Sequence, residues 1–367
     1  MSSTMEFTQE DRQLIQQQVE RFFEAEYDME KCRADIISCP QQAWQNAAEA
    51  GILALGQSPD VGGLGGGTCD WGMAMRQIGS TLSALPLLDS AILPARLIDV
   101  VVSGARREEL LGTICVGTAR FAWAHREKRS GNDRQFVESR FDGKAISGTK
   151  IYVIDLGNVS DFLVTARDDS GALCLLLVKP DTAGLTSHSY RLPDNRLAGE
   201  LVFDQVEGEL LATGCDQAIE QVLDLAAACA AAESVGAAER LLALTIDYVK
   251  TRRQFGQALG DFQVIQHRLV DGYIGLRTTR AIIDQALAAL DNREAIAAQL
   301  CSAAKAQADK ACRVVGETSI QLHGGIGMTD ECAAGHYLKR ILTNNSRFGT
   351  ADWHLSRATK ESFNEAA

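Results

Sequence analysis

Residues 217 to 256, QAIEQVLDLAAACAAAESVGAAERLLALTIDYVKTRRQFG, carry alanine and leucine on more than one face over about ten helical turns. A helix that is apolar nearly all round cannot lie against water, so it needs neighbours on several sides. Three more stretches with helical spacing follow. They are residues 261–290 (DFQVIQHRLVDGYIGLRTTRAIIDQALAAL), 295–325 (AIAAQLCSAAKAQADKACRVVGETSIQLHGG) and 333–361 (AAGHYLKRILTNNSRFGTADWHLSRATKE). Together the four predict a C-terminal four-helix bundle over 214–367.

The rest of the chain divides by its periodicity. Residues 7–27 place Leu14, Val19, Phe22 and Phe23 on one side among charges, with Thr8 and Glu10 as the start signal. AWQNAAEAGILALG continues the helical pattern until SPDVGGLGGG, with one proline and five glycines, breaks it. A second apolar helical region then runs to Val102, interrupted by Pro86 and Pro94. Between about Cys115 and Leu211 the pattern shortens to QFVESRF, KIYVI, DFLVTA, LCLLLV and ELVFDQV, with Asp142-Gly143 and Asp168–Gly171 as hairpin signals. The expected fold is mixed α and β, mainly α: an N-terminal helical domain (1–112), a middle antiparallel β-barrel domain (113–213) and the bundle.

Several function classes fall away. A net charge of -12 offers no basic field for a nucleic acid. Ten cysteines without a C-x-x-C pair read as reduced thiols, the polar N-terminus does not resemble a secretory leader, and no apolar run has membrane-spanning length. A cytoplasmic protein without a membrane span is expected. No helix carries Glu-x-x-His and the six histidines are dispersed, so no metal site is expected.

Two segments of the bundle draw attention to chemistry. In QLHGGIGMTDE (321–331), Gly324, Gly325 and Gly327 follow a long helix. They serve either as a helix stop or as a bare backbone that an anion can approach. In KTRRQFGQALGDFQ (250–263), Arg252 and Arg253 stand where a helix gives way to a corner. They read either as a solvated C-cap or as a fork for a phosphate.

The order R-x-x-F-G, then F-Q, then Q-x-x-G-G resembles the acyl-CoA dehydrogenase family. So do EYDMEKCRA, the W-x-x-x-A-E-A-G-I-L helix with its GGLGGG loop, and ISGTKIYVID. The resemblance spans nearly the whole chain. It implies the three-domain fold above, FAD as cofactor, an acyl-CoA thioester as substrate, removal of hydrogen from its α and β carbons, and an electron-transfer flavoprotein as acceptor. It makes Arg252 a ligand of the FAD diphosphate, with Phe255 and Gln263 near the adenine half. It gives Gln321, Gly324 and Gly325 the same diphosphate from a neighbouring subunit, and so implies an oligomer. Tyr152 falls where the family has a tryptophan beside the flavin ring; a core tyrosine on a strand describes it equally well.

Two departures matter. One family position for the catalytic glutamate is held by Phe348, in RFGT, and the other by Ala226, followed by Ala227. Neither side chain accepts a proton, so this chain's catalytic residues are unknown; the nearby carboxylates are Asp224, Glu233 and Asp352. The T-E-P-x-x-G-S-D loop that holds the ring and thioester is replaced by AWAHREKRSGNDRQFVES. These absences resemble the small subunits of heteromeric acyl-CoA dehydrogenases of the pimeloyl-CoA or steroid side-chain type. The expected protein is one subunit of an α2β2 heterotetramer with a second acyl-CoA dehydrogenase-like chain that supplies the glutamate. A self-sufficient homomer with an atypical base and a flavin-free scaffold subunit are the alternatives.

Overall fold

The computed structural model describes residues 9–26 and 38–365. Thr8, Cys32 and most of EYDMEKCRA lie outside the described residues. Two compact units emerge: one mainly from Ile36–Trp71 and Ala84–Ala226, the other mainly from Gln13–Asp35, Gly72–Ser83 and Ala227–Ala367.

Helix α1 (Gln9–Glu26) buries Val19 and Phe23, whereas Leu14 is exposed, so the apolar side is shorter than the sequence pattern implies. Helices α2 (Gln41–Glu49), α3 (Thr68–Thr81), α4 (Leu93–Val101) and α5 (Gly104–Cys115) follow. Pro94 follows a π-helical turn over Leu88–Ile92 that runs straight into α4, a local widening that accommodates the proline's missing N–H.

The sheet is built from β1 (Phe121–Ala124), β2 (Arg140–Phe141), β3 (Ala145–Ile154), β4 (Asp161–Arg167), β5 (Leu173–Val178), β6 (Leu185–Arg191), β7 (Leu197–Glu207) and β8 (Glu209–Thr213). Its order is β6-β7-β3-β2-β4-β5-β8, with β1 added to β4. Most pairs are antiparallel, but β1 and β2 each lie parallel to β4. Every residue of β5 is buried, as a run of LCLLLV demands, while β6 is a polar, largely exposed strand at one end of the order. Ile146, Val164, Leu176, Leu201 and Phe203 belong to the sheet's core. A register shift between Lys150 and Val153 on β3 puts Tyr152 at φ 60°.

The bundle begins with α6 (Asp216–Thr251), followed by α7 (Gln263–Asp291), α8 (Ala297–His323), α9 (Ala333–Asn345) and α10 (Ala351–Glu365). The expected fourth helix is thus two. Phe348 at φ 59° and Gly349 at φ 113° turn the backbone out of the right-handed region and end α9 before α10 starts. In the bundle unit, α3 and α6 approach closely through glycines: a Cβ on Gly79 would stand 1.9 Å from the Glu233 carbonyl oxygen, and one on Gly236 2.0 Å from that of Arg76. None of the helices among the described residues is long and apolar enough to cross a membrane.

Candidate functional site

The corner after α6 is built by a two-residue hairpin. Arg252 still donates its N–H to the Tyr248 carbonyl at 2.8 Å, as a helical residue does. Strands β9 (Arg253–Gln254) and β10 (Gln257–Ala258) then pair antiparallel, with Phe255 at φ 52° and Gly256 at φ 86° as the turn. Two successive positive φ values are what a tight hairpin of this hand requires. The turn lifts Phe255 clear of the chain: it is 90% exposed, touching Phe262 edge-on at 6.4 Å. Arg252 is exposed and has no ion pair among the described residues. Gln263, also exposed, opens α7, whose first N–H groups have no helical acceptor.

The second corner is the end of α8. Gly324 adopts φ 65°, ψ -142°, a conformation that side chains resist, and Gln321, Gly324 and Gly325 are all exposed. A Cβ on Gly324 or Gly325 would meet nothing within 4 Å. Packing within the chain therefore does not require glycine at 325; an open backbone suits a group from outside it.

A stack joins the two corners. The Tyr248 ring lies on that of His323, with centroids 4.3 Å apart and planes 20° from parallel. The Tyr248 hydroxyl reaches the His323 carbonyl at 3.4 Å, and His323 Nδ1 is held at 2.8 Å by the Ser319 carbonyl. Tyr248 precedes Arg252 by one helical turn and His323 adjoins Gly324. The corners read from sequence as serving one diphosphate from two different chains thus share one end of this chain's bundle. Spacing along the sequence carries no such distance, which is why the pairing was not legible.

Tyr152 lies in the sheet unit, apart from that corner in the chain. It packs against Ile154, Leu192 and Ala198, donates its N–H to the Tyr190 hydroxyl at 2.9 Å, and lies beneath the Arg126 guanidinium, 5.7 Å from the ring centroid.

The positions that the sequence resemblance assigns to a glutamate hold no acid. Ala226 and Ala227 are fully buried on α6, and Phe348 packs against the Arg347 guanidinium at 4.7 Å. Two of the three neighbouring carboxylates are engaged. Asp224 accepts from Arg134 at 2.8 Å, and Glu233 from Arg340 at 3.0 Å, with both partners of the second pair only 1% exposed. Asp352 is exposed in the first turn of α10.

A cluster that the sequence reading missed replaces the T-E-P-type loop. Glu127 accepts four donors: the N–H of Glu138 (2.6 Å), the N–H and Oγ of Ser139 (3.0 and 2.7 Å) and Lys150 Nζ (2.6 Å). Burial would raise this carboxyl, but the Lys150 ammonium and the N–H donors outweigh it and hold it low. Burial pushes Lys150 down to about 8 against the pull of Glu127. His125, held by Thr165 and the Arg134 carbonyl, is pushed by burial, with Lys150 adding to it, to about 4. QFVESRF is consequently a strand only at Arg140–Phe141, because the N–H groups of Glu138 and Ser139 are already committed to Glu127. A lysine inside an apolar strand was the available signal, since a buried ammonium demands an acid.

A helical N-terminal segment, an inserted sheet and a glycine-ended bundle define a flavoenzyme-type architecture. Residues 9–118 match the model "Acyl-CoA dehydrogenase, N-terminal domain" and residues 212–362 match "Acyl-CoA dehydrogenase, C-terminal domain". The chain belongs to the acyl-CoA dehydrogenase family, whose cofactor is FAD. It is similar to acyl-CoA dehydrogenase IpdE2 of Mycolicibacterium smegmatis, 26% identical over 358 residues, covering 96% of this chain and 99% of that one. A variant of the Tcur3481-Tcur3483 steroid ACAD superposes with a TM-score of 0.88 at 27% identity, covering 98% and 99% of the two chains. The ChsE4-ChsE5 complex from Mycobacterium tuberculosis shares the fold, with a TM-score of 0.87 at 23% identity over 97% and 98% of the chains.

Proposed function

We propose that this chain is the diphosphate-gripping subunit of a heteromeric acyl-CoA dehydrogenase whose partner supplies the catalytic glutamate. The observation that carries the reading is a contrast within one molecule. Both bundle corners are exposed, with an unpaired Arg252 guanidinium among the described residues at one and bare glycine backbone at the other, while the positions that the resemblance gives the base are filled by alanine and phenylalanine.

The corner suits FAD. An exposed guanidinium at Arg252 can fork onto the phosphate oxygens of one FAD, and the Gly324 and Gly325 N–H groups can donate to the diphosphate of an FAD shared with a neighbouring subunit. Gln321 and Gln263 offer amides, and Phe255 offers a ring for the adenine. When bound, FAD supplies the acceptor for the hydride that leaves the β carbon. This chain's residues hold and orient the diphosphate, and the proton of the α carbon goes to the partner's carboxylate.

Bulky thioesters fit the reading by kinship, since the chain is similar to the Tcur3481-Tcur3483 steroid ACAD. The ChsE4-ChsE5 complex supplies the precedent for two chains together, and an electron-transfer flavoprotein is the expected acceptor. The three-domain division at 112 and 213 and a cytoplasmic location belong to the same reading.

The test is co-expression with the product of the adjacent gene. The parent pair should retain flavin and bleach on addition of acyl-CoA, and Arg252→Ala should lose the flavin. Retention of FAD by that variant as firmly as by the parent sinks the assignment. One observation favours a second reading: Asp352, exposed and with no arginine partner among the described residues, could act as a base in a homomer. Acyl-CoA oxidation by the chain alone, abolished in Asp352→Asn, would establish it.

A further inference from the structure

The loop after β1 places the Arg126 guanidinium over the Tyr152 ring. Its backbone is locked to β3 next to Tyr152, where the Ile151 N–H donates to the Arg126 carbonyl at 2.8 Å. One residue on, Glu127 is fixed by its four donors. Further along, Arg134 is held by Asp224 at 2.8 Å and by Glu220 at 3.4 Å, and the Gln135 carbonyl accepts from Arg167 at 2.8 Å. Anchored on both sides, the loop backbone holds the Arg126 Cα beside β3, and the exposed side chain reaches back over the sheet from there.

Tyr152 is equally constrained. Its positive φ, its N–H bond to Tyr190 and its packing on Ile154, Leu192 and Ala198 set the ring in one place. The Arg126 guanidinium then lies over that ring at 5.7 Å. A planar cation on an aromatic face uses the same surface that a flavin ring would use, so the two compete.

We propose that Arg126 is a built-in cap on Tyr152 that closes this chain's own ring platform to planar ligands. The inference rests on the reading of Tyr152 as the residue beside the flavin ring, and it deepens the half-site reading. The chain offers the diphosphate corner to a flavin while its own sheet refuses the ring.

Riboflavin tests this independently of the Arg252 corner, because it has no phosphate. The full chain is titrated with riboflavin, following fluorescence quenching, as parent, Arg126→Ala, Arg126→Gln and Arg126→Ala/Tyr152→Leu. The expected result is weak quenching by the parent and a gain of about threefold in affinity on removing the guanidinium, the scale of one exposed cation–ring contact. The double variant should lose that gain. Equal binding by parent and single variants overturns the proposal, as does a gain that survives loss of Tyr152. A thermal melt accompanies each variant, and the Gln variant keeps the loop's bulk should the Ala variant unfold. ADP titration reads the other corner separately. ADP binding that fails while riboflavin binding is gained removes the half-site reading and leaves the cap standing.

Discussion

At the scale of single residues, Glu233 and Arg340 decide between an acid that works and an acid that holds. Breaking a buried pair strands the surviving charge, which costs about 3–5 kcal/mol. Glu233→Ala should therefore lower stability by that order in urea unfolding. Glu233→Gln, which keeps an acceptor for Arg340, should lower it less and leave turnover of the assembled dehydrogenase unchanged. A large loss of turnover in the Gln variant with stability intact would make Glu233 the base after all. His125 gives a pH prediction. Its folded pKa near 4 lies below the ordinary 6.5, so the neutral ring is favoured in the fold. Its contribution is fully present above pH 6.5 and is lost as pH falls toward 4, by up to ~3 kcal/mol. His125→Gln should flatten the stability profile in that window. Short motifs in the sequence mark Arg252, Phe255 and Gln321 as candidates. Glu127 and Lys150 were not legible, because a pair 23 residues apart forms only once strand register is known.

At the scale of elements, the long alanine-rich helix was legible from composition alone, and α6 indeed runs from Asp216 to Thr251. What the sequence did not disclose is why Gly79 and Gly236 stand in their helices. They let α3 and α6 approach until a methyl has no room. Gly236→Leu should destabilise the protein by at least ~2 kcal/mol, because helix backbones cannot yield as a flexible side chain can. Wild-type unfolding midpoints in that variant would show that the helices part at no cost. The polar strand β6 escaped a reading based on apolar alternation, since LTSHSYR has almost no buried side chain to betray it. The break between α9 and α10 escaped because Phe348 in a left-handed conformation has no sequence signal.

At the scale of the whole molecule, the exposed surface of the bundle unit agrees with a chain that works in company. Val264, Val270, Tyr273 and Ile274 are each more than half exposed along α7, and Phe255 stands out beyond its start. Apolar groups in such a row cost solubility unless covered. Ile274→Glu should reduce co-purification with a partner subunit at least about tenfold, the effect of forcing a charge into an apolar contact. Undiminished recovery of the complex would place the interface elsewhere. The two alanines of α6 extend the point. At 226 and 227 both methyls are sealed from solvent. Restoring an acid there by one codon change would force a carboxylate into a finished core and unfold the chain before re-arming it. On the half-site reading, the packing of these two methyls by itself keeps the proton acceptor in the other chain.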